Sequence, residues 1–373
     1  MKIGVPAETD PGESRVAVTP ETVKKYAALG CTVVVQAGAG LGSNLSDQDY
    51  LDAGATVEET AAAVLADADV VLKVRRPAAD ELKAMKKGAV AAALMDPYDN
   101  AEEIQPFADS DVIAFAMELM PRISRAQSMD VLSSQSNLAG YKAVLDAAGE
   151  FNRAMPMMMT AAGTVPPARV FVMGAGVAGL QAIATARRLG AIVSATDVRR
   201  AAGEQVESLG ANFVMVESEE DAETAAGYAK EMSEDYQRRQ AELIAETLKK
   251  QDIVICTALI PGRPAPVLVT KEMVESMKAG SIIVDLAVER GGNCPLSKPG
   301  KTVTHKGVKI MGTLNLAGLL AGNSSQLYAK NLFNFLELMI DKDTSQIAID
   351  WDDEIITGTA LTRDGKIIHP ALT

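Results

Sequence analysis

Aromatic residues are few in this chain: they make up 4% of its 373 positions, with a single tryptophan. Its cores must be filled by aliphatic side chains and by methionine, of which there are 17. Cysteine is scarce too. Cys31, Cys256 and Cys294 are odd in number and far apart, with no CxxC pair. That pattern argues against a disulfide framework or a zinc site and fits a reduced, cytoplasmic setting, so no metal is expected. Basic charge is in the minority, with 36 Lys and Arg against 49 Asp and Glu and a net charge of −13. Without a basic stripe to displace counterions from phosphates, that balance argues against a nucleic-acid partner. No apolar run approaches the ~18 residues that span a bilayer, and the N-terminus lacks the apolar centre of a signal peptide. A soluble protein is expected. Only His305 and His369 represent histidine. Neither lies in an obvious site, and both are expected on the surface or in loops.

What is present is an alternation of short β-rich runs with helical patterns. "KIGVP", "CTVVVQ", "DVVLKV", "AVAAALM" and "DVIAFAM" read as strands in the first third. "RVFVM", "AIVSAT", "ANFVMV", "DIVICTA", "SIIVDLA" and "VKIMG" repeat the plan in the middle. "TPETVKKYAALG" has the Thr cap, first-turn Glu and closing Gly of a helix. Such alternation implies parallel strands with helices on both faces. The length calls for two domains. "NSSQLYAKNLFNFLELMI" reads as a helix returning to the first domain, and the tail as a β-hairpin turning at Asp364-Gly365. "MPMMMT" is expected in core or interdomain packing. The acidic run 217–242 reads as a polar insertion of the kind that is usually a solvated helix face.

The strongest local signal is "RVFVMGAGVAGLQAIATARRLGAIVSATDVRR". An apolar strand runs into Gly174-Ala175-Gly176-Val177-Ala178-Gly179 and then a helix. Gly174 permits the tight turn, Gly176 lets backbone approach a pyrophosphate, and Gly179 allows close packing of helix on strand. The helix N-terminus offers free N–H groups to phosphate. A second strand ends at Asp197, about 20 residues on, where a carboxylate suits the adenosine ribose hydroxyls and favours NAD over NADP. Arg199 and Arg200 complicate that preference, since arginines can hold a 2′-phosphate. Another glycine-rich stretch, "VVVQAGAGLGSN", has its third glycine out of register and no long helix after it, so it reads as a structural turn. The fold class is α/β: two doubly wound Rossmann-like domains with a cleft between them. Residues 1–132 plus about 318–373 would form a discontinuous N-terminal domain, and 133–317 the NAD(H)-binding one.

Residues 122–137, "RISRAQSMDVLSSQSN", place many hydrogen-bonding side chains between apolar segments. If partly helical, positions 127, 130 and 133 share a side. A solvated connector is the plain alternative. With "PMMMTAAGTVPPARVFVMGAGVAGLQAIATARRLGA", "GYAKEM" and "TALIPGRPAPVLVTKEMV", this stretch resembles the NAD(H)-binding component of proton-translocating nicotinamide nucleotide transhydrogenase, across essentially the whole chain. The resemblance implies that Arg122, Gln127, Asp130 and Ser133 fix the nicotinamide carboxamide and ribose. It also implies NAD contacts at Val177, Val198, Arg199, Gly227, Ala258 and Leu259, and a closing loop bearing Tyr228. Partners would be membrane-spanning and NADP(H)-binding subunits, with NADP(H) held on the partner. The chain would be a homodimer on the cytoplasmic face of the inner membrane, attached through those subunits. Alanine dehydrogenase is a relative of that family, and Arg15 and Lys73 match its substrate-binding positions. Its catalytic histidine is missing here, where "AALMDPYDN" follows a strand. Direct hydride transfer between two nicotinamides needs orientation rather than a proton-transfer group. An amino-acid dehydrogenase of the alanine dehydrogenase type and a non-catalytic NAD-binding module are the rival readings.

Overall fold

The computed structural model describes residues 1–98, 101–216, 233–260 and 262–372. It divides into two compact units, one of residues 1–135 and 317–373, the other of residues 136–316.

The first unit is built on β1 (Lys2–Val5), β2 (Thr32–Gln36), β3 (Thr56–Glu58), β4 (Val70–Arg75), β5 (Val90–Leu94) and β6 (Ile113–Ala116). All pair in parallel, in the order β3-β2-β1-β4-β5-β6. Successive residues face opposite sides of a strand. Val70, Leu72, Val90 and Ala92 accordingly join one core and Val71, Ala91 and Ala93 another. Both faces of the sheet are therefore buried, which is why the strands read as near-continuous apolar runs. Helix α1 (Pro20–Ala28) starts where expected, with Thr19 as its cap and Pro20 at its first position.

Helices α2 (Asp47–Asp52), α3 (Ala61–Leu65), α4 (Ala79–Ala84) and α5 (Ala101–Asp109) connect later strands, and α6 (Val131–Glu150) carries the chain into the second unit. There a hairpin of β7 (Met158–Thr160) and β8 (Gly163–Val165) precedes β9 (Arg169–Met173), α7 (Val177–Arg188), β10 (Ile192–Thr196), α8 (Ala202–Ser208) and β11 (Asn212–Phe213). The remaining elements are α9 (Glu234–Leu248), β12 (Ile253–Cys256), α10 (Lys271–Ser276), β13 (Ile282–Asp285), β14 (Thr302–His305) and β15 (Val308–Met311). The sheet order is β11-β10-β9-β12-β13-β15-β14, parallel except for β14 at the edge. The chain then re-enters the first unit through α11 (Ala321–Glu337), α12 (Glu354–Thr359) and the hairpin of β16 (Thr362–Arg363) and β17 (Lys366–Ile367). Its turn lies at Asp364-Gly365, both with positive φ.

The sequence reading differs in three places. Strands β3, β7, β8 and β14 are additional, and "ANFVMV" contributes only two paired residues. His305 does precede a strand, β15, but it also ends β14 rather than lying in a loop, bonded through Nε2 to Glu275 at 2.9 Å. Of the methionines of "MPMMMT", Met155 joins the core of the second unit, whereas Met157, Met158 and Met159 are 56%, 44% and 79% exposed. These three sit in and beside a two-stranded hairpin that, among the described residues, pairs with no larger sheet.

Candidate functional site

Both sheets reverse strand order beside their first strand. In open α/β sheets ligands bind at the carboxyl ends of strands at such a reversal. In the second unit that point lies between β9 and β12, where the chain leaves β9 through the glycine turn. Gly174 has φ +101°, and a Cβ there would meet Thr257 Oγ1 at 2.7 Å. At Gly179 a Cβ would lie 1.8 Å from the Gly174 carbonyl oxygen, so only glycine lets α7 approach its own turn. A Cβ at Gly176 would meet nothing within 4 Å. That side of the turn is open to a ligand. Gly176 caps α7 without a side-chain bond, so the first N–H groups of a 12-residue helix are left for an anion. Val177, at the first helical position, is 39% exposed.

Asp197 follows β10 and is nine-tenths buried. Its Oδ2 accepts the Ala175 N–H at 2.7 Å, which ties the carboxylate to the glycine turn 22 residues earlier. Arg199 binds the same carboxylate with Nε and Nη2, each at 2.9 Å. Val198 between them is half-buried, packed with Val216 and Leu243. After β12, Ala258 is half-buried and Leu259 is 42% exposed. Glycine turn, Asp197 to Arg199 and Ala258 thus belong to one locality. Gly227 and Tyr228 lie outside the described residues.

Three residues that sequence reasoning passed over hold this locality in shape. Thr257 Oγ1 donates to the carbonyl oxygens of Gly174 at 2.9 Å and Met173 at 3.2 Å, bridging β12 to the turn. Asn293, fully buried, accepts the Ala258 N–H at 3.1 Å and donates to the carbonyl oxygens of Ala258 and Pro266, both at 2.8 Å. Asp285, also fully buried, accepts the N–H groups of Ala287, Asn293 and Cys294 and the Ser297 hydroxyl. Burial pushes the neighbouring Cys256 thiol up, with the Asp285 carboxylate adding to the shift. The only hint was an acidic residue closing an apolar strand, as Asp197 does.

The polar junction belongs to the first unit except at its end. Residues 124–129 form a 3₁₀ helix, and Asp130 caps α6. Its carboxylate accepts the Ser133 N–H at 2.9 Å and the Ser133 hydroxyl at 2.5 Å. Asp130 and Ser133 are therefore brought together, whereas Arg122 and Gln127 are exposed on the approach.

In the first unit the strand-order reversal is lined by charge that pairs with itself. Arg15 binds Glu13 through Nε and Nη2, both at 2.7 Å, and Gln135 through Nη1 at 2.9 Å. Lys73, 1% exposed, bonds both oxygens of Glu81 at 2.7 and 2.8 Å. Burial alone would raise the Glu13 carboxyl, but the bonds and charges of Arg15 and Arg75 hold it at about 2. Glu8 behaves oppositely: burial outweighs the Lys73 ammonium 3.9 Å away and pushes it up to about 7.

Family models account for both halves of the chain. "Alanine dehydrogenase/PNT, N-terminal domain" matches residues 4–139, and "Alanine dehydrogenase/PNT, C-terminal domain" matches residues 143–370. The chain belongs to the alanine dehydrogenase/PNT family. Within it, the chain is similar to the first of the chains that make up NAD(P) transhydrogenase subunit alpha in Rhodospirillum rubrum, at 58% identity over 380 residues, covering 100% of this chain and 99% of the relative. A solved structure of transhydrogenase from Sinorhizobium meliloti superimposes with a TM-score of 0.91 at 58% identity, over 99% of this chain and 100% of that one. Alanine dehydrogenase of Halomonas elongata is more distant, 30% identical over 379 residues, covering 100% of this chain and 96% of its own. The resemblance drawn from the motifs and the two-domain doubly wound architecture are both borne out.

Proposed function

We propose that this chain is the NAD(H)-binding component of a proton-translocating NAD(P) transhydrogenase, in which hydride passes directly between NADH and NADP⁺ held on a partner subunit. The observation that carries the reading is the bond from the Ala175 N–H to Asp197, which joins the phosphate-binding turn to the ribose-binding carboxylate. The turn at Gly174, Gly176 and Gly179, with Ala178 and the first N–H groups of α7, would hold the pyrophosphate. Asp197 would take the adenosine ribose, with Val177, Val198, Arg199, Ala258 and Leu259 around the dinucleotide, and Gly227 and Tyr228 as further contacts. Arg122, Gln127, Asp130 and Ser133 would orient the nicotinamide end. The bound nicotinamide supplies the hydride. The chain's task is to hold and aim it, for which no general acid or base is required.

The distribution of titratable groups supports this. His305 lies at the sheet edge, four strands from β9, and Nε2 of His369 meets the Gly358 carbonyl at 3.3 Å in the first unit. An amino-acid dehydrogenase would need Arg15 and Lys73 for its substrate carboxylate, and both are committed to Glu13 and Glu81. Among the described residues no helix is long and apolar enough to cross a membrane. In this reading the membrane-spanning and NADP(H)-binding roles fall to partner subunits, which would hold the chain on the cytoplasmic face of the inner membrane. The exposed methionines of the β7–β8 hairpin are the surface a homodimer would cover.

The test is to mix the purified chain with membrane-spanning and NADP(H)-binding subunits and follow reduction of an NADP⁺ analogue by NADH. The expected result is turnover only in the mixture, with NADH binding by the chain alone. Steady NADH production from alanine and NAD⁺ by the chain alone would overturn the reading.

A further inference from the structure

Every acceptor position on Asp197, the carboxylate to which the proposed function gives the adenosine ribose, is used by the chain itself. Oδ1 accepts the backbone N–H and the Nε of Arg199, both at 2.9 Å. Oδ2 accepts the Ala175 N–H at 2.7 Å and Nη2 of Arg199 at 2.9 Å. An ionised carboxylate has about four lone-pair sites, so none is left over. Two of these bonds come from the main chain and are set by the turn. The other two come from one guanidinium, whose side chain is 20% exposed against 7% for Asp197.

A ribose brings hydroxyl donors to this carboxylate and can bond it only where the Arg199 fork lets go. Those hydroxyls are neutral donors, weaker than the charge-assisted pair they replace. We infer that Arg199 is an internal competitor for the ribose-binding carboxylate, and that it sets both the affinity for NAD(H) and the discrimination against a 2′-phosphate. The inference rests on the NAD(H) site proposed above. It follows from mass action: the apparent affinity of a ligand falls by the fraction of molecules in the binding-competent arrangement. The second effect is electrostatic. While the fork is in place, a 2′-phosphate approaches a neutralised pair, so Asp197 repels NADP(H) less than a bare carboxylate would. Removing the guanidinium leaves Asp197 held by its two main-chain bonds, so the side chain can be tested without unseating the carboxylate.

The experiment is calorimetry of NADH, NADPH and reduced nicotinamide mononucleotide against wild type, R199A and R199Q. NADH should bind R199A roughly three- to tenfold more tightly, the loss of one competing ion pair. The ratio of NADH to NADPH affinity should rise further, because the bare carboxylate then faces the 2′-phosphate. The mononucleotide, which has no adenosine to reach Asp197, should bind all three proteins alike. R199Q keeps bulk without charge and should reproduce the gain, so a misfolded R199A would not shield the inference. Unchanged or weaker NADH binding in the folded variants overturns it, as does an equal gain with the mononucleotide. Wild type binding NADH without any gain in the variants refutes the inference alone, whereas wild type failing to bind NADH refutes the proposed function as well.

Discussion

Replacing Asn293 should separate the support of the site from the site itself. Its carboxamide is completely buried and serves three backbone groups: the Ala258 N–H at 3.1 Å and the Ala258 and Pro266 carbonyls at 2.8 Å. N293A strands all three. At about 1–3 kcal/mol for each unsatisfied buried group, offset in part by water entering the vacated volume, the expected loss of stability is about 3 kcal/mol. N293D is nearly the same shape but should be worse. Its carboxylate keeps an acceptor for the Ala258 N–H and turns its other oxygen toward two carbonyl oxygens. It also places a second buried charge beside Asp285, which already accepts the Asn293 N–H at 3.1 Å. A stranded buried charge costs about 3–5 kcal/mol, unless the group protonates. Neutral, the acid can donate to one carbonyl. Its folded pKa is thus raised, and the stability of N293D is greatest at low pH and lost as pH rises through that value. Urea unfolding at pH 5 and pH 8, with NADH titration of each folded variant, measures all of this. NADH affinity should fall with N293A, since Ala258 and Leu259 lose their anchor. N293D as stable as wild type at pH 8, or more stable there than N293A, would refute the argument.

Three further outcomes are expected. Glu8, pushed by burial from 4.5 to about 7, binds a proton on folding, so its contribution to stability is present at low pH and lost between about pH 4.5 and pH 7. E8Q should flatten that portion of the stability profile, and an unchanged slope in denaturant titrations would show that Glu8 titrates normally. K73M leaves Glu81 and Glu8 buried without their cation and should cost about 3–5 kcal/mol in the same assay. Gln127→Ala should slow transhydrogenation in the reconstituted complex on the order of 100-fold while changing NADH affinity little, because orientation and not anchoring is lost. Arg122→Ala, Asp130→Asn and Ser133→Ala should follow to differing degrees. Rates near wild type in all four would leave the junction as a helix cap and connector.

Legibility followed the range of the interactions. The glycine turn could be read because each glycine answers a local demand, a positive φ at Gly174 and a near-contact between Gly179 and the Gly174 carbonyl. Asp197 was legible by its spacing from the turn. What spacing does not reveal is that Arg199 would fold back onto it. Asn293 escaped notice because its partners, Ala258 and Pro266, are 35 and 27 residues earlier, and nothing in "GGNCP" announces them. Strands β3 and β14 were missed because they lie at sheet edges with a half-exposed pattern, not the continuous apolar run of the central strands. Met157 to Met159 misled for a related reason. Apolar composition says that a side chain prefers cover, not that its own chain supplies it.

The second unit is one continuous piece of chain, while the first is interrupted by it. On the ribosome this imposes an order of completion. Strands β1 to β6 emerge first but lack α11, whose Tyr328, Leu332, Phe335 and Leu336 share a core with Val33, Leu72 and Phe115. They also lack the Ser325 hydroxyl that accepts the Val16 N–H, and the Thr362 hydroxyl placed between Ala114 and Val112. Translation at ~5–20 residues per second puts roughly 10–40 s between β6 and the arrival of that helix. During that interval the later, contiguous unit can finish, while the earlier sheet waits with the part of one apolar face that α11 covers still bare. The portion made first is the portion completed last, and its exposed face is where chaperones that bind nascent apolar surface should engage this protein.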